Sequence, residues 1–322
     1  MASKKILLLD ENPPLIAGIS AILSTAGHEV YIVGSTNQYS NQTGVRFFSC
    51  TRNQESCLTD LLKIVTNYIG WWDMVVDTAD SLSSDYALTC ALLGGSSSRF
   101  IFMSTPLVGS SSLIPLGEGQ DYTKRKNRME NYIRTQTLPW TILRPYHIVG
   151  PGSLLGCIPD HNRDPELVAR LQRGEALELC NGGDIDFNIV HPADIGRAVL
   201  AVAENPATIH KAYNCVNPEP VKARDYYAEI ARQVGGTLKI KTKSYQEVWD
   251  EQGGWELTSL PHVYDVSDLE RDTGFVPRVS YQECIRDALA HPPAVSGDTS
   301  TIPVHQRMTA LPRPRRFSWL PN

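Results

Sequence analysis

The chain has 322 residues, 42% of them apolar and 20% charged, which suits a water-soluble domain large enough for a sizeable core plus a smaller lobe. A net charge of −5 argues against a general nucleic-acid surface, and no apolar run is long enough to span a bilayer. Seven scattered cysteines without a C-x-x-C pair predict reduced thiols, with neither a disulfide framework nor a zinc site. The opening MASKKILLLDE is not laid out as a signal peptide, because the short apolar run meets Asp10 at once. The expected setting is cytoplasmic.

Residues 5–9 form a continuous apolar run, the pattern of a strand buried on both faces. Asn12 is placed to cap a helix with Pro13 at its first position. Leu15, Ile16, Ile19, Ile22 and Leu23 recur at helical spacing, and residues 29–33 read as a second strand. This β-α-β opening is the usual start of a nucleotide-binding half. A short strand is expected at 45–48, a helix at 58–68, a buried strand at 71–76 and a short helix at 86–93. The Gly/Ser run 94–98 reads as a flexible turn.

The most informative stretch is 99–151. An apolar strand, 100–103, ends in Ser104-Thr105. A helix follows with Tyr122 and Lys126 one turn apart, so both side chains lie on one face. A second strand, 140–143, ends in Arg144-Pro145. An ammonium near a phenol favours the phenolate, so Lys126 is placed to help Tyr122 act as a general acid/base. Lys124, Arg125 and Arg128 add positive potential.

FIFMST, Y-x-x-x-K at Tyr122 and Lys126, Glu130 four residues later and ILRPYHIVGPG occur in family order and spacing. The chain resembles the extended short-chain dehydrogenase/reductases, the NAD-dependent epimerase/dehydratase group, over roughly residues 4–290. The resemblance implies an α/β fold, a Rossmann-like doubly wound parallel sheet with a smaller C-terminal substrate lobe. The core would take 1–155 and 184–205, the lobe 156–183 and 206–292, with 293–322 an extended or disordered tail. It also implies Thr105, or else Ser104, as the hydroxyl that binds a substrate oxygen, with Tyr122 and Lys126 as the other catalytic residues, in a homodimer acting on a small molecule.

One part of the pattern is missing. The family's glycine-rich turn would place its three glycines at Asp10, Pro13 and Ile16. That turn needs glycine for close pyrophosphate approach and backbone N–H groups aimed at the phosphates. Pro13 and Pro14 have no N–H, and Asp10 and Glu11 would set carboxylates beside a dianion. The second strand ends in Gly34-Ser35-Thr36-Asn37, with neither the acid for an NAD ribose nor the arginine for an NADP phosphate. The expectation is therefore no NAD(P) at a degenerate loop, with NAD(P) bound by other contacts as the alternative.

Beyond 151, Cys157, Asp160 and His161 fall in a polar loop, and with His147 and Trp249 they are the candidate substrate contacts; no metal site is expected. Helices are predicted at 165–173, 195–204, 223–234 and 281–289, and strands at 177–179, 212–217 and 239–243. Asp194 reads as the cap of the 195–204 helix. Three functions stay open. The first is an isomerase, cyclase, dehydratase or lyase of small-molecule metabolism that uses Thr, Tyr and Lys without redox chemistry. The others are an NAD(P)-dependent oxidoreductase or sugar epimerase, and a non-catalytic binding protein. Retention of the three side chains favours catalysis; loss of the glycines favours the first.

Overall fold

The computed structural model describes residues 2–35, 37, 42–50, 55–79, 85–110, 118–156, 164–252 and 260–293. Its centre is a seven-stranded sheet of β1 (Lys5–Leu9), β2 (Glu29–Gly34), β3 (Val45–Ser49), β4 (Met74–Asp77), β5 (Phe100–Met103), β6 (Trp140–Pro145) and, near the end of the fold, β9 (Lys211–Cys215). The spatial order is β3-β2-β1-β4-β5-β6-β9, and every pairing is parallel. Strand order reverses between β1 and β4, so the crevice beyond their C-terminal ends is the topological switch point, where ligands of such sheets bind.

The central strands β1, β4 and β5 are nearly all apolar because both faces are covered, whereas the edge strands β3 and β9 carry polar residues. On one face α1 (Pro13–Thr25) and α6 (Pro192–Glu204) pack on Ile6, Leu8, Ile32, Val76 and Ile101. On the other, α2 (Glu55–Ile69), α3 (Asp85–Leu93) and α4 (Glu118–Arg134) cover Leu7, Val75, Phe100, Phe102 and Ile142. α1 and α6 approach so closely that a Cβ on Gly18 would lie 2.3 Å from Pro192 Cβ. A third buried cluster, including Leu167, Leu171, Leu177, Tyr226, Tyr227, Ile230 and Ile285, joins α5 (Leu167–Gln172), β7 (Ala176–Cys180), α7 (Ala223–Gln233) and α10 (Tyr281–Ala290). Beside it β7 pairs with β11 (Lys239–Lys243), and β8 (Asp186–Phe187) pairs antiparallel with β10 (Val221–Lys222). Helices α8 (Tyr245–Gln252) and α9 (Ser267–Thr273) complete the set of named elements.

Most expected elements are present within a few residues, and three differences have local causes. The strand expected at 71–76 begins only at Met74; Trp71 is 49% exposed, and the Asp73 carboxylate is taken by the Lys5 N–H at 2.7 Å. The run 94–98 is not a loose turn, since Trp72 exchanges backbone hydrogen bonds with Ser96 and Ser98. α6 is capped by His191, whose Nδ1 accepts the Ala193 N–H at 3.1 Å, and not by Asp194. Asp194 lies inside the first turn and instead accepts the N–H groups of Arg278 and Val279 and an Arg197 hydrogen bond. Among the described residues no helix is long and apolar enough to cross a membrane.

Candidate active site

Three elements converge beyond the end of β5. Ser104 continues the strand, donating its N–H to Leu143 O at 2.7 Å. Thr105 is buried, and its Oγ1 accepts the Leu107 N–H at 3.4 Å as the chain enters the 3-10 turn Pro106–Ser110. α4 runs past this end and brings Lys126 inward to 3% exposure. Its Nζ donates to Ala79 O at 2.6 Å and Met103 O at 3.0 Å, tying α4 to the ends of β4 and β5. The same ammonium lies 5.8 Å from the Tyr122 ring centroid and 5.2 Å from that of Phe102. At this range a cation attracts a ring face, so Lys126 supplies positive potential to Tyr122. Tyr122 itself is half-buried against Leu107, Tyr146, Val216 and Val266. Of the other basic residues on α4, Lys124 and Arg128 are exposed and Arg125 is half-buried.

One turn below Lys126 a buried ion cluster fixes α4 to β6. Glu130 receives Arg144 Nε at 2.9 Å and a second Arg144 nitrogen at 2.6 Å, and Arg134 at 3.3 Å. Burial pushes the Glu130 carboxyl up, but hydrogen bonding from Arg144 and Ser104 and the Arg144 charge outweigh it and hold the group below the usual range. The Ser104 hydroxyl is buried close enough to contribute, without completing a well-formed hydrogen bond. Ser104 and Thr105 thus face different partners. Thr105 lies on the turn nearest Tyr122's apolar wall through Leu107, and Ser104 lies on the ion cluster.

His147 sits where β6 has ended, half-buried, at φ +39°, a left-handed conformation uncommon for a non-glycine residue. Its ring lies 4.3 Å from Tyr146 and 5.3 Å from Phe187. Three residues absent from the expected contacts join this cluster. Tyr146, His262 and Tyr264 surround one another, with His262 and Tyr264 each 5.2 Å from Tyr146. Tyr146 lies within the recognised ILRPYHIVGPG stretch; His262 and Tyr264 arrive from more than a hundred residues away, and no local pattern marks them. Cys157, Asp160 and His161 lie outside the described residues, as does the Trp249 side chain, although its backbone is in α8.

The switch-point crevice can be tested for a dinucleotide from the groups that line it. Pro13 and Pro14 offer no N–H. Asp10 donates to Val33 O at 2.8 Å, Glu11 to Thr78 Oγ1 at 3.0 Å, Leu15 to Asn12 Oδ1 at 3.3 Å and Ile16 to Asn12 O at 3.0 Å. Thr78 Oγ1 in turn donates to Leu9 O at 2.9 Å, stitching β1 to β4 across the crevice. The N–H groups that would cradle a pyrophosphate are thus absent or already bonded within the protein, apart from that of Asn12. The Asp10 carboxylate is buried against Gly34, where a Cβ would come within 2.8 Å of Asp10 Cβ. A Cβ on Gly152, in the loop beyond β6, would lie 3.3 Å from Pro14 Cγ. Residues 10–16 do not fit a pyrophosphate. Among the described residues no cluster has the make-up of a metal site.

Comparisons with known proteins agree with the fold. A putative epimerase from Burkholderia cenocepacia superposes with a TM-score of 0.69 at 18% identity, over 91% of this chain and 99% of that one. The Bordetella bronchiseptica enzyme WbmF in complex with NAD+ gives 0.65 at 16%, over 91% and 93%. In sequence, a 2-alkyl-3-oxoalkanoate reductase of Stenotrophomonas maltophilia is 26% identical over 58% of this chain and 66% of its own length. A UDP-D-apiose/UDP-D-xylose synthase of Arabidopsis thaliana is 26% identical over 48% and 43%. The match thus spans less than two thirds of either relative. The NAD dependent epimerase/dehydratase family matches residues 19–215, a span that starts beyond the Asp10–Ile16 turn. By that match, which covers more than half of its length, the chain belongs to the NAD dependent epimerase/dehydratase family.

Proposed function

We propose that this chain is an enzyme of small-molecule metabolism that uses the family's proton-handling side chains without hydride transfer: an isomerase, cyclase, dehydratase or lyase. The observation that carries this reading is the turn at residues 10–16, whose N–H groups other than that of Asn12 are missing or bonded internally beside a buried Asp10. Tyr122 is the acid/base, Lys126 sets the potential around it, and Thr105 binds a substrate oxygen. Lys126 here has two backbone carbonyls as partners, so its role is electrostatic and does not need a nicotinamide ribose. Each of the four reaction types needs a proton moved and an oxyanion held, and none needs an external oxidant.

The test is titration of the purified protein with NADH and NADPH, followed by fluorescence and calorimetry. No saturation below millimolar concentration is expected; micromolar affinity for either overturns the redox-free reading. That result would instead support an NAD(P)-dependent oxidoreductase, the reading favoured by the likeness to a reductase. Tyr122→Phe should lower turnover of an identified substrate by about 100-fold or more. Unchanged turnover would remove Tyr122 from the chemistry.

A further inference from the structure

Tyr122 shares its apolar wall with a residue from the far end of the chain. Tyr122 and Tyr264 both pack against the cluster made by Leu107, Tyr146, Val216 and Val266. The rings around Tyr146 meet edge-on or tilted, the arrangements that ring quadrupoles favour. Behind Tyr264 stands His262, buried, with Nδ1 3.0 Å from the Tyr264 hydroxyl. The pair is held by its backbone: Tyr264 N–H donates to Asn188 Oδ1 at 2.7 Å, Asn188 N–H to His262 O at 3.0 Å and His262 N–H to Asp186 O at 2.9 Å. With its proton on Nδ1, His262 donates to the phenol oxygen and leaves the Tyr264 proton to be offered elsewhere. That bond also polarises the phenol and strengthens it as a donor.

We infer that Tyr264, positioned by His262, donates a hydrogen bond to a substrate oxygen beside Tyr122, and that the substrate is a planar, ring-bearing, enolisable carbonyl compound rather than a nucleotide sugar. The inference rests on the redox-free reading and names its substrate class. A wall of rings and aliphatic side chains suits a flat apolar body. A diphosphate would call for cations, and two of those near the end of β5 are already engaged, Lys126 with the carbonyls of Ala79 and Met103 and Arg144 with Glu130. Burial holds the Tyr264 hydroxyl above the ordinary phenol range, so it keeps its proton and acts as a donor. In the step itself a proton passes from the carbon beside the carbonyl to the Tyr122 phenolate. The C–H electron pair moves into the substrate, and the charge settles on the carbonyl oxygen that Tyr264 contacts. No electron leaves the substrate.

4-Nitrophenol is a suitable probe, because it is planar and its coloured anion carries charge on an oxygen as an enolate does. The full chain is titrated with it at neutral pH, by absorbance and calorimetry, with UDP-glucose in parallel. Saturable binding that shifts the bound dye toward its anion is expected, with no UDP-glucose binding. Tyr264→Phe keeps the ring and should weaken the dye about tenfold and reverse the shift, the size of effect expected for one hydrogen bond to a charged oxygen. His262→Leu should reverse the shift as well, and His262→Asn, whose amide replaces Nδ1, should restore most of it; this arm stands even if Tyr264→Phe fails to fold. The inference is overturned if Tyr264→Phe binds the dye as the parent does with the same spectrum, or if UDP-glucose binds and the dye does not. Absence of dye binding sinks this inference alone, whereas micromolar NADH binding sinks the redox-free reading.

Discussion

At the end of β1 the backbone is turned on itself, while at the end of β5 side chains from separate elements are brought together. Thr78 accepts from Glu11 and donates to Leu9, and Asn12 takes the N–H groups of Leu15 and Ile16. That arrangement uses four of the N–H groups between residues 10 and 16 within the protein. Beyond β5, Lys126 lies against the Tyr122 ring, and Thr105 accepts the N–H of Leu107, which belongs to the apolar cluster that Tyr122 and Tyr264 pack against. The two ends belong to one sheet and lie two strands apart. The two regions can vary separately because each is built by a different helix: α1 starts at the turn beyond β1, and α4 carries Tyr122 and Lys126.

If α4 is held by its ion cluster, removing the buried charge should have the largest effect. Glu130→Gln leaves Arg144 without its counter-charge in a poorly solvated site and should cost about 3 kcal/mol in chemical denaturation. A loss under about 1 kcal/mol would mean that apolar contacts alone fix α4. The matching change on the other side is Gly18→Ala. Its methyl would meet Pro192 Cβ at 2.3 Å and push α1 from α6, costing about 2 kcal/mol by the same measurement. A neutral result would show that α1 is free to shift, and with it the turn at its start. Next in size is Thr78→Val, which keeps the shape and strips Glu11 N–H of its acceptor, for about 1.5 kcal/mol. Should this variant also gain micromolar affinity for NADH, Thr78 is what closes the crevice.

Much of this was legible from the chain. The sheet strands on both sides of the switch point are continuous apolar runs, and β1, β5 and β11 fall where periodicity and composition place them. The degenerate turn was legible too, since glycine and proline carry their backbone consequences in their identity. Two kinds of fact were not. Thr78 as partner of Glu11, and His191 rather than Asp194 as cap of α6, depend on which atoms meet across elements, and a polar residue near a helix start gives no sign of which way it bonds. Likewise His262 and Tyr264 are held beside Tyr146 by backbone hydrogen bonds to Asn188 and Asp186 from a distant part of the chain.

The smallest predicted effect concerns the residue between the two ends. A Cβ on Gly150 would lie 2.9 Å from His191 Nε2, and Gly152 of the same loop rests on Pro14, so His191 supports the contact between the loop beyond β6 and the start of α1. Its cap works only with Nδ1 unprotonated, and a positive charge at a helix N-terminus is unfavourable in itself. Burial lowers the His191 pKa, and the raising effect of Asp287 and Asp194 does not restore it. With the folded pKa below the unfolded value of about 6.5, the unfolded chain binds the proton first as pH falls. The stabilisation is therefore complete above that value and is lost as pH drops toward the folded pKa. Asparagine caps as well and does not titrate, so His191→Asn should match the parent near pH 8 and lose less stability over the acidic window that opens below about pH 6.5. Glu130 does not confuse the measurement, because its carboxyl is held below the usual range and titrates at lower pH. Parallel stability curves for the two proteins in that window would show that the cap at α6 is indifferent to protonation, and that the contact between the loop and α1 is held by packing alone.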